Sequence, residues 1–171
     1  VDSQNGQFTT VQGDGSTDKR LADIGEEDDV DLTVTEGGVT LDSPSGTYVI
    51  GSQVDITGSV SEGVDDVAIY ARGSGDWERV DLNIGGSAEY IISVDSDNTF
   101  EREDVTLSST SGSEGNQLLS LTGSYKIAAV DAASLSDTPE ATLTTAQFND
   151  NTTDSQTVVV TSSDLSAQFE F

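Results

Sequence analysis

The segment Gly123-Ser124-Tyr125-Lys126-Ile127-Ala128-Ala129-Val130-Asp131 carries the most specific local indication of fold in this chain. Successive side chains of a β-strand point to opposite sides, so residues two apart share a face. In this segment Tyr125, Ile127 and Ala129 share a face. The segment therefore predicts a strand with Tyr125, Ile127 and Ala129 on one side.

Further strand-like runs lie on both sides of this segment, separated by turn-forming residues such as those at 42–46 and 73–76. The runs cover residues 7–11, 30–34, 53–60, 67–71, 77–82, 90–94, 100–107 and 158–160, and residues 118–130 are interpreted as two short strands or one bent strand. The run at 67–71 is apolar throughout, which is typical of a central strand. No stretch has a helical period, and β-branched residues are frequent. The pattern predicts an all-β antiparallel sandwich.

Tyr125 stands where immunoglobulin-like sandwiches place a tyrosine corner, whose hydroxyl bonds to the backbone upstream. Such domains usually have a cysteine two residues later, and this chain has Ile127 there. The alternative interpretation of Tyr125 is an ordinary half-buried aromatic residue. We therefore expect an all-β fold of the immunoglobulin-like antiparallel β-sandwich class.

The chain is predicted to have three parts. Residues 1–29 form a connector or the edge strand of a preceding domain, residues 30–162 the immunoglobulin-like domain, and residues 163–171 the start of a linker or strand to a following domain. The chain begins with polar residues, nothing resembles a signal peptide, and no apolar run approaches the roughly 20 residues of a membrane span. We expect a mature or excised piece of a larger protein, with no direct membrane insertion by this segment.

The charge of the chain restricts its partners. There are 32 Asp and Glu residues against 6 Lys and Arg, and the formal net charge is -26. Such a chain repels nucleic acid phosphates, so no nucleic acid partner is expected. At molar salt the Debye length falls to about 3 Å, which screens the self-repulsion. Because the acids run along the whole chain and do not form one terminal block, the composition indicates a halophile.

Several segments, in their order and spacing, closely resemble the major surface-layer glycoprotein family of haloarchaea. They include Leu41-Asp42-Ser43-Pro44-Ser45-Gly46-Thr47-Tyr48, together with residues 30–38, 49–52, 67–72, 75–77, 92–97 and 118–125. The resemblance spans about residues 29–171 and leaves residues 1–28 unplaced. It implies one segment of a long, glycosylated, extracellular protein built from consecutive immunoglobulin-like domains and held by a C-terminal anchor.

The resemblance also implies a function and partners. We expect a structural module that self-associates into the porous lattice coating the cell and adjoins immunoglobulin-like domains of the same chain. The alternative is an adhesion or carbohydrate-binding module of a halophile cell-surface protein. A sugar-binding module normally shows two or three aromatic residues on one exposed face, and here Trp77 and the tyrosines are scattered among the strands.

Enzymatic chemistry is hard to build from this sequence. Without His or Cys there is no Ser-His or Cys-His pair and no imidazole-bound zinc. Two carboxylates are enough for a glycosidase, but among 32 acids any two match by chance. We therefore expect no enzyme.

The segment 95–99 has oxygen-bearing side chains at its first, third and fifth positions, like the opening of a calcium loop. An EF-hand is excluded, because Phe100 and Thr106 stand where glycine and glutamate are required. A looser site for Ca²⁺ or Mg²⁺ remains open, and so does a solvated turn. The candidate ligands are Asp95, Asp97, Thr99 and Glu101. The family resemblance favours divalent cations in general, because contacts between like-charged modules need bridging charge.

Two further residues are candidates for contact with sugars. Asn151-Thr152-Thr153 is a sequon in a polar loop, which predicts an N-linked glycan at Asn151. Trp77 lies next to a turn, where it is either a sugar-stacking platform or, as we expect, a strand residue covering the end of the sandwich.

Overall fold

The computed structural model describes residues 9–10, 19–20, 38–135, 139–151 and 153–162. The chain divides into two compact units, Val1–Val34 and Thr35–Phe171. In the first unit, strands β1 (Thr9–Thr10) and β2 (Lys19–Arg20) pair antiparallel. The predicted strand at 30–34, the predicted linker at 163–171 and most of the strand predicted at 7–11 lie outside the described residues.

In the second unit the described residues form two sheets. The strands are β3 (Val39–Ser43), β4 (Gly46–Val49), β5 (Gln53–Val60), β6 (Asp66–Arg72), β7 (Trp77–Arg79), β8 (Ile91–Ser93), β9 (Thr99–Thr106), β10 (Gly123–Asp131), β11 (Thr142–Leu143) and β12 (Thr153–Thr161). The larger sheet has the order β11-β7-β6-β10-β12-β4, and β8 also pairs with β6. The smaller sheet has the order β3-β5-β9. All these pairs are antiparallel except β4 with β12.

The two sheets pack face to face over the main hydrophobic core. The smaller sheet contributes Leu41, Ile56 and Phe100, and the larger sheet contributes Ile69 and Ile127, all of them buried. Successive side chains of a strand point to opposite faces, so the chain neighbours of these residues point away from this core. The prediction of an all-β sandwich is confirmed, and the immunoglobulin-like class stays a prediction.

Around β6 and β10 the larger sheet is buried on its second face as well. The residues of β6 and β10 that point away from the main core form a second cluster with side chains of β7, β11 and the segments that follow β10 and β11. Its members are Ala68, Tyr70, Trp77, Ala128, Val130, Ala132, Leu143 and Phe148. This double burial explains why residues 67–71 are apolar without alternation, as expected for a central strand.

Tyr125 is 8% exposed, and its hydroxyl donates to the backbone carbonyl of Leu121 at 2.9 Å. This is the upstream backbone bond that the sequence predicted. Tyr125, Ile127 and Ala129 all lie in the main core, so their predicted shared face is also confirmed.

The prediction of strands over residues 118–130 was wrong for residues 118–122. Residue 118 ends an α-helix, α1 (Glu114–Leu118), and the single strand β10 begins only at Gly123. A second helix, α2 (Thr145–Asn149), and a 3₁₀ helix at Ala132–Ser134 also occur. The α-helices have five residues each, too few for a hydrophobic period to appear in the sequence.

Asn116 of α1 is a fully buried polar residue. Its Oδ1 accepts from the backbone N–H of Asp81 at 2.8 Å and from Ser113. Its Nδ2 donates to the carbonyls of Leu107 at 2.9 Å and Asp81 at 3.0 Å. A single side chain thus satisfies backbone groups from three separate segments and fixes α1 against the end of β9.

Gly58 in β5 provides a sharp test of this packing. It lies opposite Leu41 of β3 and Phe100 of β9, and an added Cβ would collide with the backbone carbonyl of Thr40 and the ring of Phe100. We expect Gly58→Ala to lower the free energy of unfolding by about 1–3 kcal/mol, the usual cost of overpacking a core.

The matched control is Gly75→Ala, since a Cβ at Gly75 meets open space. Denaturant unfolding at constant high salt measures both variants. Equal stability of the two variants would show that the three strands do not pack as described.

Candidate functional site

The predicted cation-binding segment forms a tight turn between β8 of the larger sheet and β9 of the smaller sheet. The backbone N–H of Asp95 donates to the carbonyl of Thr99 at 2.8 Å, and the N–H of Asn98 donates to the carbonyl of Asp95 at 2.9 Å. Asn98 has φ of 62°, the left-handed conformation that asparagine tolerates better than most residues. The sequence therefore folds here into a turn that is locally determined.

Two of the four predicted ligands are in direct contact. Asp97 Oδ1 accepts from the hydroxyl of Thr99 at 2.6 Å and from its backbone N–H at 3.2 Å. These bonds, with that of the hydroxyl first, hold the pKa of the Asp97 carboxyl below its usual range, because they favour the charged form. Asp95 joins them through the backbone, and Glu101 lies in β9 opposite Thr57.

The turn offers oxygen ligands for a cation but does not surround a cation on all sides. Asp95, Asp97, Thr99 and Glu101 are all exposed. Hard divalent cations take at least six oxygen ligands. Over the described part of the second unit, no three acidic side chains come close enough to hold a metal ion together. These residues therefore fit a cation that takes its other ligands from water or a second molecule, and the site stays a prediction.

Asn151 lies directly after α2. Its Nδ2 donates to the carbonyl of Gln147 at 2.6 Å, and its backbone N–H donates to the carbonyl of Phe148 at 3.3 Å. The side-chain amide has two hydrogens, so one remains for replacement by a sugar. Asn151 is partly exposed, Thr153 begins β12, and Thr152 lies outside the described residues. The predicted glycan would stand on the side of the larger sheet that α2 covers.

Trp77 is a strand residue, but it covers the outer face of the larger sheet. It is 2% exposed and stacks on Phe148, with ring centroids 4.0 Å apart and planes 15° apart. The guanidinium of Arg72 lies 5.6 Å from the ring centroid. Trp77 therefore presents no exposed ring face on which a sugar could stack.

The displaced pKa values of the other groups have structural causes. Burial raises the pKa of Tyr70 to about 12, and its hydroxyl donates to the carbonyl of Glu140 at 2.7 Å. Burial also raises the pKa of Glu78, and the nearby carboxylate of Glu114 raises it further. Shifted pKa values often mark functional sites. Here packing and a neighbouring charge account for them.

Comparison with known proteins identifies relatives over most of the chain. The chain is 44% identical over 149 residues to a cell surface glycoprotein of Haloarcula japonica, covering 84% of this chain and 16% of that protein. It is 42% identical over 153 residues to a cell surface glycoprotein of Halobacterium salinarum, covering 88% of this chain and 17% of the relative. A cell surface glycoprotein of Haloarcula marismortui is 43% identical over 147 residues, with coverages of 81% and 16%.

The chain thus spans about one sixth of the length of the curated relatives it matches. No protein-family model matches it. Among the helices that the structure describes, none is long and apolar enough to cross a membrane.

The sequon can be tested by changing its third residue. We expect a glycan on Asn151 when the protein is produced in a haloarchaeal host. Thr153→Val removes the sequon while keeping a β-branched residue suited to β12, and Thr153→Ser keeps it. Mass spectrometry of the peptide containing Asn151 should find the glycan in the original protein and in the serine variant only. An unmodified Asn151 in the original protein would refute the prediction.

Proposed function

The chain is a homologue of one segment of the haloarchaeal cell surface glycoproteins, and we propose that it is a structural module of a surface layer. Its location is the extracellular face of the cell. In this proposal, copies of the module associate with one another and with neighbouring domains to form the porous protein lattice that coats the cell.

The extent of the similarity carries this proposal. At 44% identity over 84% of the chain, the relatives share the module as a whole and not a short motif. The described part of the second unit is a sandwich in which the central strands of the larger sheet are buried on both faces. Such a unit suits a structural role, because its central strands are already packed within the molecule.

The negative charge of the chain opposes any such assembly. Two copies that each carry a formal charge of -26 repel one another unless salt screens them or cations bridge them. The exposed turn with Asp95, Asp97, Thr99 and Glu101 offers incomplete oxygen ligation that a second molecule could complete. We propose that Ca²⁺ or Mg²⁺ bridges copies through turns of this kind.

A structural role fits the described residues better than the alternatives. The chain has no His or Cys for nucleophilic catalysis. The adhesion or carbohydrate-binding alternative needs exposed aromatic rings, and Trp77 and Phe148 are buried against each other. We therefore propose assembly, and neither catalysis nor sugar recognition, as the function of this module.

Electron microscopy of the native cell-surface protein that carries this sequence tests the proposal. The divalent cation concentration is titrated at constant ionic strength, so that screening stays fixed. We expect ordered sheets that dissolve on chelation and reform when the cation returns, because bridging replaces repulsion between like charges.

Variants of the turn test whether the assembly depends on Asp97 and Glu101. Asp97→Asn with Glu101→Gln should raise the divalent concentration needed for sheets, while Glu62→Gln with Asp76→Asn, which neutralises two other exposed acids, should have little effect. A protein that stays monomeric at every cation concentration, yet binds a glycan, would contradict the lattice and favour the sugar-binding alternative.

A further inference from the structure

Arg72 and Lys126 lie directly opposite each other at the end of the ladder between β6 and β10. Ala71 and Ile127, their neighbours along the chain, point into the main core, so both cations point to the outer side of the larger sheet. Like charges placed directly opposite on adjacent strands repel. The sheet therefore holds an unfavourable pair of cations at one position.

This arrangement is unexpected in a chain with 6 cations and 32 acids. Arg72 itself lies against Trp77, with its guanidinium 5.6 Å from the ring centroid, and the other two cations of the described sandwich also have partners. Arg102 forms an ion pair with Glu89 at 2.5 Å, and Arg79 lies 3.6 Å from the ring centroid of Tyr90 and donates to the Pro139 carbonyl. Within the described ranges, neither Arg72 nor Lys126 makes an ion pair.

Both cations line a cleft of about 580 Å³ on the outer face of the larger sheet. We call it the Arg72–Lys126 cleft. Its polar lining also includes Ser124, Asn149, Ser155 and Thr157, and no described acidic residue lines it. A cleft without carboxylates, in a chain so rich in them, has the electrostatic character of an anion site.

Trp77, which also lines the cleft, adds an independent observation. It is 2% exposed, and its indole Nε1–H is buried without a hydrogen-bond acceptor in the described structure. Buried donors of this kind are rare, because an unmet hydrogen bond is unfavourable. Because Trp77 lines the cleft, this unused donor belongs to a residue beside the two cations.

We propose that the Arg72–Lys126 cleft binds a carboxylate side chain from a second copy of this chain. The guanidinium of Arg72 can hold both oxygens of a carboxylate, Lys126 adds a second charge, and the flanking hydroxyls donate further bonds. Charge complementarity selects the occupant, since a second copy carries 32 acids distributed along its whole sequence. An acidic sugar fits less well, because the rings of Trp77 and Phe148 cover each other.

The site would supply a direct attraction between copies that are otherwise repelled, and in this sense the inference rests on the proposed lattice. Contacts in a partly enclosed cleft are screened by salt less than exposed charges are. Carboxylate binding can therefore persist at the salt concentrations that an acidic protein of this kind needs.

Two measurements on the 171-residue chain test the inference at constant high salt. The first is the affinity for a glutamate octapeptide, with a serine octapeptide and a glucuronate oligosaccharide as comparison ligands. The second is self-association measured by analytical ultracentrifugation. We expect Arg72→Gln and Lys126→Gln each to weaken the affinity for the glutamate octapeptide and the self-association of the chain by about five- to tenfold. This is the scale of one partly exposed charge contact. Arg102→Gln, which removes an equal charge elsewhere, should change neither by more than about twofold, a difference of roughly 0.4 kcal/mol.

Circular dichroism confirms that each variant is folded before it is compared. The inference is overturned if the chain does not bind the glutamate peptide, if it binds glucuronate in preference to the peptide, or if the cleft variants associate as the original does.

Failure of the cleft proposal can be distinguished from failure of the lattice proposal. Sheets of native protein that form unchanged with Arg72→Gln and Lys126→Gln would overturn the cleft and leave the lattice standing. Peptide binding and pairwise association that depend on the cleft, without sheets at any cation concentration, would support the cleft and overturn the lattice.

Discussion

The antiparallel ladder between β6 and β10 is covered by side chains on both sides, and the rest of the sandwich is arranged around it. On one side Ile69 and Ile127 face the smaller sheet across the main core. On the other side Tyr70 and Ala128 lie under the stacked rings of Trp77 and Phe148. The backbone groups between these layers are satisfied by the ladder itself, since water is excluded from both faces.

The double cover also determines where the charged residues lie. Among the described residues no acidic side chain is buried, and those of Asp95 and Asp97 in their turn are exposed. At the end of the ladder the outer cover stops, and Arg72 and Lys126 emerge together into a cleft that no described carboxylate lines. The fold thus produces two kinds of described surface, an acidic one and, at the cleft, a cationic one. The proposed association between copies depends on contact between the two.

Local patterns along single strands were sufficient to predict much of this architecture. The shared face of Tyr125, Ile127 and Ala129, the strand at Gln53–Val60 and the central position of residues 67–71 all follow from the local pattern, and the structure confirms them. The upstream bond of Tyr125 was predictable as well, because its acceptor, the carbonyl of Leu121, is close in sequence.

The features that sequence reasoning missed depend on contacts between distant segments or on very short elements. Phe148 stacks on Trp77 from far along the chain, so the outer cover could not be inferred from either segment alone. Asn116 resembles any polar residue in the sequence, yet it is buried and bonded to two distant segments. Arg72 and Lys126 become neighbours only through the register of β6 and β10. Around the predicted cation ligands, the local sequence was enough to predict a turn. The hydrogen bond between Asp97 and Thr99 is visible only in the structure.

Arg72 and Lys126 lie directly opposite each other, and no described carboxylate pairs with either. A double-mutant cycle of Arg72→Gln and Lys126→Gln on the unfolding free energy of the chain measures how the two cations interact. The cycle isolates their mutual interaction from the attraction of each to the acidic chain as a whole. A repulsive coupling of about 0.2–1 kcal/mol is expected without ligand, and it should turn favourable when saturating glutamate peptide bridges the pair. A favourable coupling in the chain alone would contradict the account, because it would show that a carboxylate within the molecule already bridges the two cations.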